Sequence, residues 1–275
     1  MPLEDQIVIA FIGFGEVGQR FARDFTNNER VRLRAYDILF DDAERGPPLA
    51  ARAEALGVRA AASLADAASK ADIIISAVTA DASETVANEA AGYSREGQIF
   101  FDINSASPET KRRSAAAVAK TGAAYVEGAV MAPVLEPGIH VPILAGGPRA
   151  DHTARLLNEL GMNITPVAED YGKASSIKLC RSIMIKGMEA LIVDCAAASN
   201  AWSVSDEVFA SLGSTFPSVD WNALAKNMAE RVAKHGMRRA AEMRETADML
   251  SDLGMDSSLI HAVAEAQKRG ASAKS

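Results

Sequence analysis

Residues 6–18, Gln-Ile-Val-Ile-Ala-Phe-Ile-Gly-Phe-Gly-Glu-Val-Gly, join a short apolar run suited to a buried strand directly to the spacing G-x-G-x-x-G. Helical spacing follows at once: Val17, Phe21, Ala22 and Phe25 share one face, while Arg20, Arg23 and Asp24 fall elsewhere. The spacing alone also turns up in loops, so the strand before it and the helix after it are what make it informative. In that context each glycine has a task. Gly13 permits a tight turn, Gly15 lets backbone approach a pyrophosphate, and Gly18 lets the helix pack closely on the strand. Phe14, Glu16 and Val17 fill the loop between them, and the helix start offers unpaired N–H groups and a positive dipole end to phosphate. Residues 13–18 therefore predict a dinucleotide site.

A second strand, Val31 to Tyr36, ends at Asp37. An acidic side chain there can accept both ribose hydroxyls of NAD and would repel a 2′-phosphate. Asp41 and Asp42 follow, and no basic residue comes directly after Asp37 to hold a phosphate. NAD is thus expected over NADP. The bland alternative is that Asp37 only caps a loop.

Strands continue to alternate with helices. Residues 48–56 are Ala-rich and helical until Gly57, and 58–61 form a short strand. The apolar run 72–78 is another strand, with a helix beginning near Asp81. Further strands are expected at 98–102, 124–130 and 141–145, and further helices after Pro108 and across 150–160. This alternation predicts a doubly wound, mostly parallel α/β sheet with its ligand at the carboxyl ends of the strands. The pattern changes near Pro166, and from Gly172 nothing reads as a strand. The expected division is a Rossmann domain over 1–166 and an all-helical domain over 167–275. Residues 172–200 read as one long helix, apolar on most faces, which suits the spine of a second domain or a dimer interface. The last six residues read as a frayed tail.

The chain's 275 residues are ample for a core, and its net charge of −7 argues against nucleic-acid binding and an anionic membrane surface. Only Cys180 and Cys195 are present, without C-x-x-C, which fits a reducing cytosol. The start runs straight into a strand, leaving no room for a signal peptide, and no apolar run reaches membrane-spanning length. No metal site is expected.

Three segments carry candidate chemistry. Residues 102–108, Asp-Ile-Asn-Ser-Ala-Ser-Pro, leave a strand end with several short polar side chains. Asn104 and Ser105 can hydrogen-bond a carboxylate or hydroxyl, while Ser107 before Pro108 suits a helix cap. Lys178 and Arg181 share a helix face with Ser175 and Ser182, at the opening of an apolar helix. A lysine beside apolar surface and another cation is a possible general acid or base; the alternative is a solvated helix end. His235, Arg238, Arg239 and Glu242 form a polar stripe, either an anion-binding face or a surface held by intrahelical ion pairs.

In this order the motifs resemble the β-hydroxyacid dehydrogenase family, which includes 6-phosphogluconate and 3-hydroxyisobutyrate dehydrogenases. The match rests on residues 13–18, on 102–108 at the family's D-x-S-x-x-S-P, on 127–133 at its D-A-P-V-S-G-G, on 141–147, and on Gly172 with Lys178 at its G-x-x-x-x-x-K-x-x-N. The resemblance implies a Rossmann domain followed by a helical domain, with Lys178 as the acid/base of hydroxyl oxidation or carbonyl reduction. This chain departs from the pattern at Asn104, at Met131-Ala132-Pro133, and at Arg181 in place of the asparagine. With the stripe, these departures resemble a phosphogluconate-dehydrogenase-like branch whose C-terminal domain is named as of unknown function.

The expectation is a cytosolic, homodimeric NAD(P)-dependent oxidoreductase acting on a small anionic β-hydroxy or β-oxo acid. Residues 13–18, Asp37, Val78, Thr79 and Asn104 would hold the cofactor. Asn104, Ser105, Met131, Arg181, His235 and Arg239 would surround the substrate, and decarboxylation could follow. The rivals are an imine reductase, a similar fold whose family usually lacks this lysine, and a nucleotide-binding regulator without catalysis.

Overall fold

A computed structural model describes residues 6–272. It divides into two compact units, Met1–Lys178 and Leu179–Ser275. The first alternates strand and helix: β1 (Ile7–Ile12), α1 (Glu16–Phe25), β2 (Val31–Tyr36), α2 (Gly46–Ala55), β3 (Val58–Ala60), α3 (Leu64–Ala68) and β4 (Ile73–Ser76). It continues with α4 (Ser83–Ala91), β5 (Ile99–Asp102), α5 (Pro108–Ala119), β6 (Ala124–Val130), β7 (Pro142–Gly146), α6 (Ala150–Glu159) and β8 (Asn163–Ala168).

The eight strands form one sheet in the order 3-2-1-4-5-6-7-8. Every pairing is parallel except β6 with β7. Alternate residues of one strand feed two cores. Ile9 and Phe11 of β1 pack on one face with Phe21 and Phe25 of α1, and Ala10 and Ile12 pack on the other with Ile74 and Phe100. Helices cover both faces, so the strands read as continuous apolar runs. β1 lies between β2 and β4, where the chain reverses its direction across the sheet and opens a crevice at the strands' carboxyl ends.

The doubly wound, mostly parallel sheet is as the sequence predicts. β8 and the short α3 are not anticipated by the sequence reading. Pro166 lies within β8, and it is tolerated there because β8 is an edge strand, where a missing N–H breaks no inner ladder.

A long helix, α7 (Lys173–Ala201), crosses the division between the units, and α8 (Ser205–Thr215), α9 (Trp221–Asp252) and α10 (Ser258–Ser272) complete the second. Within that unit α9 and α10 pack closely: a Cβ on Gly236 would lie 2.2 Å from the Gln267 carbonyl oxygen. The expected frayed tail is helical through Ser272, and its remaining residues, 273–275, lie outside the described ones. Among the described residues no helix is long and apolar enough to cross a membrane.

Candidate active site

The glycine loop joins β1 to α1, and the space around its three glycines differs as their proposed tasks require. Gly13 has φ +92°, and a Cβ there would lie 2.4 Å from the Ala77 carbonyl oxygen, so the turn is pressed against the end of β4. A Cβ on Gly18 would lie 2.5 Å from the Gly13 oxygen, where helix meets strand. Gly15 has no atom within 4 Å of that position. It is also the N-cap of α1, and no side chain caps the helix. Uncapped N–H groups facing open space are what a pyrophosphate requires. The residues present therefore fit a dinucleotide.

These environments predict opposite phenotypes. Gly15→Ala should leave the melting temperature unchanged and weaken NADH binding by about tenfold or more, roughly 1.4 kcal/mol per decade. Gly18→Ala should instead destabilise the fold by about 2 kcal/mol through overpacking, lowering Tm by about 4–8 °C. Thermal melts and NADH fluorescence titrations of both variants check this.

Asp37 is half-buried at the end of β2. One carboxylate oxygen accepts the Phe14 N–H at 2.7 Å, and the other accepts the Leu39 N–H at 2.9 Å, capping a short 3-10 turn. The capping role is thus present, and the same carboxylate also ties β2 to the glycine loop. Each oxygen keeps a further lone pair for a hydroxyl. The nearest arginine on either side in sequence is engaged elsewhere, Arg34 with Asp66 and Arg45 with Asp42.

Beside the loop, at the end of β4, the Val78 N–H donates to Asn104 Oδ1 at 2.7 Å. Asn104 is buried, and its Nδ2 donates to the hydroxyls of Ser76 at 2.9 Å and Ser83 at 3.3 Å. Its amide therefore ties the Val78 N–H to the Ser76 and Ser83 hydroxyls. Thr79 begins a 3-10 turn without a side-chain cap bond. Ser107 caps α5 by accepting the Thr110 N–H, the bland role foreseen for it. Ser105 differs: its Oγ is buried and has no hydrogen-bond partner among the described residues. Met131 is half-buried just past β6, its N–H bonded to the Pro142 carbonyl at 2.9 Å.

Two buried carboxylates organise this end of the sheet. Asp102 and Glu127 are register partners on β5 and β6, and neither is exposed to solvent. Asp102 lies 2.8 Å from the equally buried ammonium of Lys111. It also accepts the Tyr125 hydroxyl at 2.7 Å and the Asn104 N–H at 3.0 Å. Burial, and then the Asp102 charge, push the Tyr125 phenol well above its ordinary range, so it stays a donor. Glu127 has a different counter-charge. It accepts the Ala174 N–H at 2.8 Å and the Ser175 hydroxyl at 3.1 Å, anchoring the N-terminus of α7. The paired glycines at 146–147 make room for this: a Cβ on Gly146 would lie 2.5 Å from Glu127 Oε1. Lys178 is half-buried in the second turn of the helix so anchored.

The remaining candidates lie in the second unit. Arg181 is exposed on α7, one turn beyond Lys178. His235 is half-buried and Arg238 exposed on α9. Arg239 is buried, with Nη1 2.9 Å from Glu189 Oε2 of α7, while Glu242 lies 2.6 Å from Lys186 Nζ of α7. Two residues of the stripe therefore pair across to α7, Arg239 with Glu189 and Glu242 with Lys186. Burial pushes the Lys186 ammonium below its ordinary range, against the upward pull of Glu242. Sequence reasoning missed Lys111, Tyr125, Lys186 and Glu189 as members of buried networks.

Known proteins show the same architecture. A model of the NAD binding domain of 6-phosphogluconate dehydrogenase matches residues 8–167, and a domain of unknown function matches residues 200–270. A conserved hypothetical protein from Sinorhizobium meliloti 1021 is 38% identical, covering 98% of this chain and 90% of its own, with a TM-score of 0.83. A conserved protein of unknown function, MTH1747, described as structurally similar to 3-hydroxyacid dehydrogenases, is 28% identical over 98% of each chain, with a TM-score of 0.77. Two more distant enzymes share the fold. These are 3-hydroxyisobutyrate dehydrogenase from Mycobacterium tuberculosis (17% identical, 97% of this chain and 94% of that one, TM-score 0.78) and an imine reductase from Bacillus cereus (19%, 97% and 94%, TM-score 0.61).

Proposed function

The chain belongs to the 6-phosphogluconate dehydrogenase NAD-binding family, and from that premise we propose that it is an NAD-dependent oxidoreductase acting on a β-hydroxy or β-oxo carboxylic acid. The observation that carries this reading is the juxtaposition at one end of the sheet. An uncapped helix start faces open space over Gly15, and a helix anchored by Glu127 carries Lys178. When bound, NAD supplies the hydride acceptor, and NADH the donor.

The chain's own residues bind, orient and move the proton. Backbone N–H groups at the start of α1 hold the pyrophosphate, and Asp37 accepts from the ribose hydroxyls. Asn104 fixes the Val78–Thr79 strand end beside the cofactor, acting as a positioning residue whose amide already makes three bonds to the chain. The Ser105 hydroxyl, buried without a partner, is free to bond the substrate, with Met131 nearby in sequence to the same strand ends. In oxidation Lys178 Nζ takes the hydroxyl proton while the carbon's hydride leaves; in reduction it returns that proton. Arg181, one helical turn away, offers a counter-charge to an anionic substrate. If the product is a β-oxo acid, the Lys178 ammonium would also stabilise the enolate left by decarboxylation. Cys180 and Cys195 are free thiols, in keeping with a reducing cytosol.

The test is a panel of hydroxy and oxo acids with both nicotinamide cofactors, followed at the nicotinamide absorbance. Turnover of a β-hydroxy or β-oxo acid supports the reading. Turnover confined to cyclic imines favours the imine reductase alternative, and tight NADH binding without turnover favours a regulator. Cofactor choice has its own check. Asp37→Ser should weaken NADH binding and strengthen NADPH binding, narrowing their ratio by about tenfold or more. An unchanged ratio of the two Kd values, or a parent preference for NADPH, would remove Asp37 from this role.

A further inference from the structure

We infer that the amino ends of β1, β2 and β3 form an anion site for a phosphate-bearing small molecule, at the end of the sheet opposite the glycine loop. A cavity of about 340 Å³ opens there, lined by Arg32, Arg34, Arg59 and Lys70 together with Val8 and Gly57. Val8 lies near the start of β1 and Gly13 just past its end, about 16 Å away at the rise of a strand. The cavity and the dinucleotide site are therefore separate.

Strand alternation and register bring the arginines together. Arg32 and Arg34 are two residues apart on β2, so they project from the same face of the sheet. Arg59 of β3 is the register partner of Arg34 and shares that face. Like charges set opposite one another on neighbouring strands are destabilising without a counter-charge. The chain supplies one only in part. Asp66 lies 2.9 Å from Arg34 Nη2 and 2.6 Å from Lys70 Nζ, so one carboxylate answers two cations. Arg32 donates to the backbone carbonyls of Glu29 and Val31, both at 3.4 Å, and to no carboxylate among the described residues. Arg59 is exposed and makes no hydrogen bond or ion pair among them. Asp72, which accepts the Val8 N–H at 2.9 Å, has Arg95 3.6 Å away as its own counter-charge.

Arg34 supplies an independent sign. It is only 7% exposed, yet its Nε has no hydrogen-bond partner among the described residues. A buried guanidinium N–H without an acceptor is costly, and an anion in the cavity that Arg34 lines removes that cost. The planar fork of arginine matches phosphate oxygens in pairs, which lysine cannot do. A second cavity, of about 400 Å³, shares Arg32 and Gly57 with the first and is lined by Asn28 and Glu29, which can bond hydroxyls. The space therefore suits the phosphate ester of a hydroxyl-bearing body. The chain's net charge of −7 disfavours nucleic acid or a membrane as the source of the phosphate.

The test is calorimetric titration of the full chain with inorganic pyrophosphate, with succinate as a carboxylate control. The parent is expected to bind pyrophosphate with a Kd of about 1 mM or tighter, and succinate about tenfold more weakly or less. Arg59→Gln and Arg32→Gln alter exposed side chains without a carboxylate partner, so the melting temperature should hold. Each should weaken pyrophosphate binding by about tenfold or more. Gly15→Ala, which fills space at the distant glycine loop, should change it by less than about twofold. Absence of binding by the parent, parent-like affinity in either arginine variant, or loss of binding in Gly15→Ala would each overturn the inference. Succinate binding as tight as pyrophosphate would overturn the assignment to phosphate.

Discussion

Substituting Lys178 by methionine is expected to lower kcat by about 10²–10⁴-fold, the usual worth of a positioned proton donor, while changing the NADH dissociation constant by less than about twofold. Methionine keeps the length and apolar stem of lysine but cannot carry the proton. Binding should survive because the open start of α1 and the Asp37 carboxylate, which would hold the pyrophosphate and ribose, do not lie on α7. Lys178→Arg sharpens the result. Arginine keeps the charge but does not deprotonate near neutral pH, so it can neutralise a substrate carboxylate without relaying a proton. If proton transfer is the task, both variants lose kcat and the pH–rate profile loses the limb due to this group. Recovery of most of the rate in Lys178→Arg would reduce Lys178 to a charge, and full turnover in Lys178→Met would remove it from the chemistry.

What fixes that lysine in place shows how far the residues alone can be read. The glycine loop was legible because each glycine answers a local steric demand, and local demands are written in local spacing. β8 was not legible, since Pro166 argues against a strand unless the strand lies at an edge, and edge position is a property of the whole sheet. The buried charges are a middle case. Lys111 shares its helical face with Ala115 and Val118, a periodicity that already marks it as inward-facing. Its partner Asp102 lies on a strand reached only through the sheet. Glu127 interrupts an otherwise apolar strand, a visible anomaly, yet its use as the anchor of α7 depends on residues 174 and 175 folding back onto it. The His235–Glu242 stripe was legible only in part. Spacing showed one helical face but not the opposing face of α7, whose Glu189 and Lys186 pair with Arg239 and Glu242. Asn104 is legible as a polar residue at a strand end, but its three bonds, to Val78, Ser76 and Ser83, join it to neighbours distant in sequence.

Removing the cation from the Asp102 network should have the largest effect on stability. In Lys111→Met a fully buried carboxylate loses the ammonium 2.8 Å away, along with that ammonium's bond to the Asp102 carbonyl. Breaking one side of a buried ion pair costs about 3–5 kcal/mol because the remaining charge is uncompensated. For a chain of this size that corresponds to a Tm loss of about 6–20 °C. Tyr125 and Ser83 still donate to Asp102, but hydrogen bonds from neutral hydroxyls do not replace the lost charge. The double variant Lys111→Met with Asp102→Asn removes both charges together and should regain a substantial part of the loss, since a neutral pair carries no ionic desolvation penalty. NADH binding should follow the same order. Asp102 holds the Asn104 N–H, and Asn104 holds the Val78 N–H, so a displaced carboxylate loosens the strand end beside the cofactor. Thermal melts and NADH titrations of the parent, both single variants and the double variant form a complete cycle. A Lys111→Met protein melting within about 1 °C of the parent would show that Asp102 is neutralised by something other than this lysine.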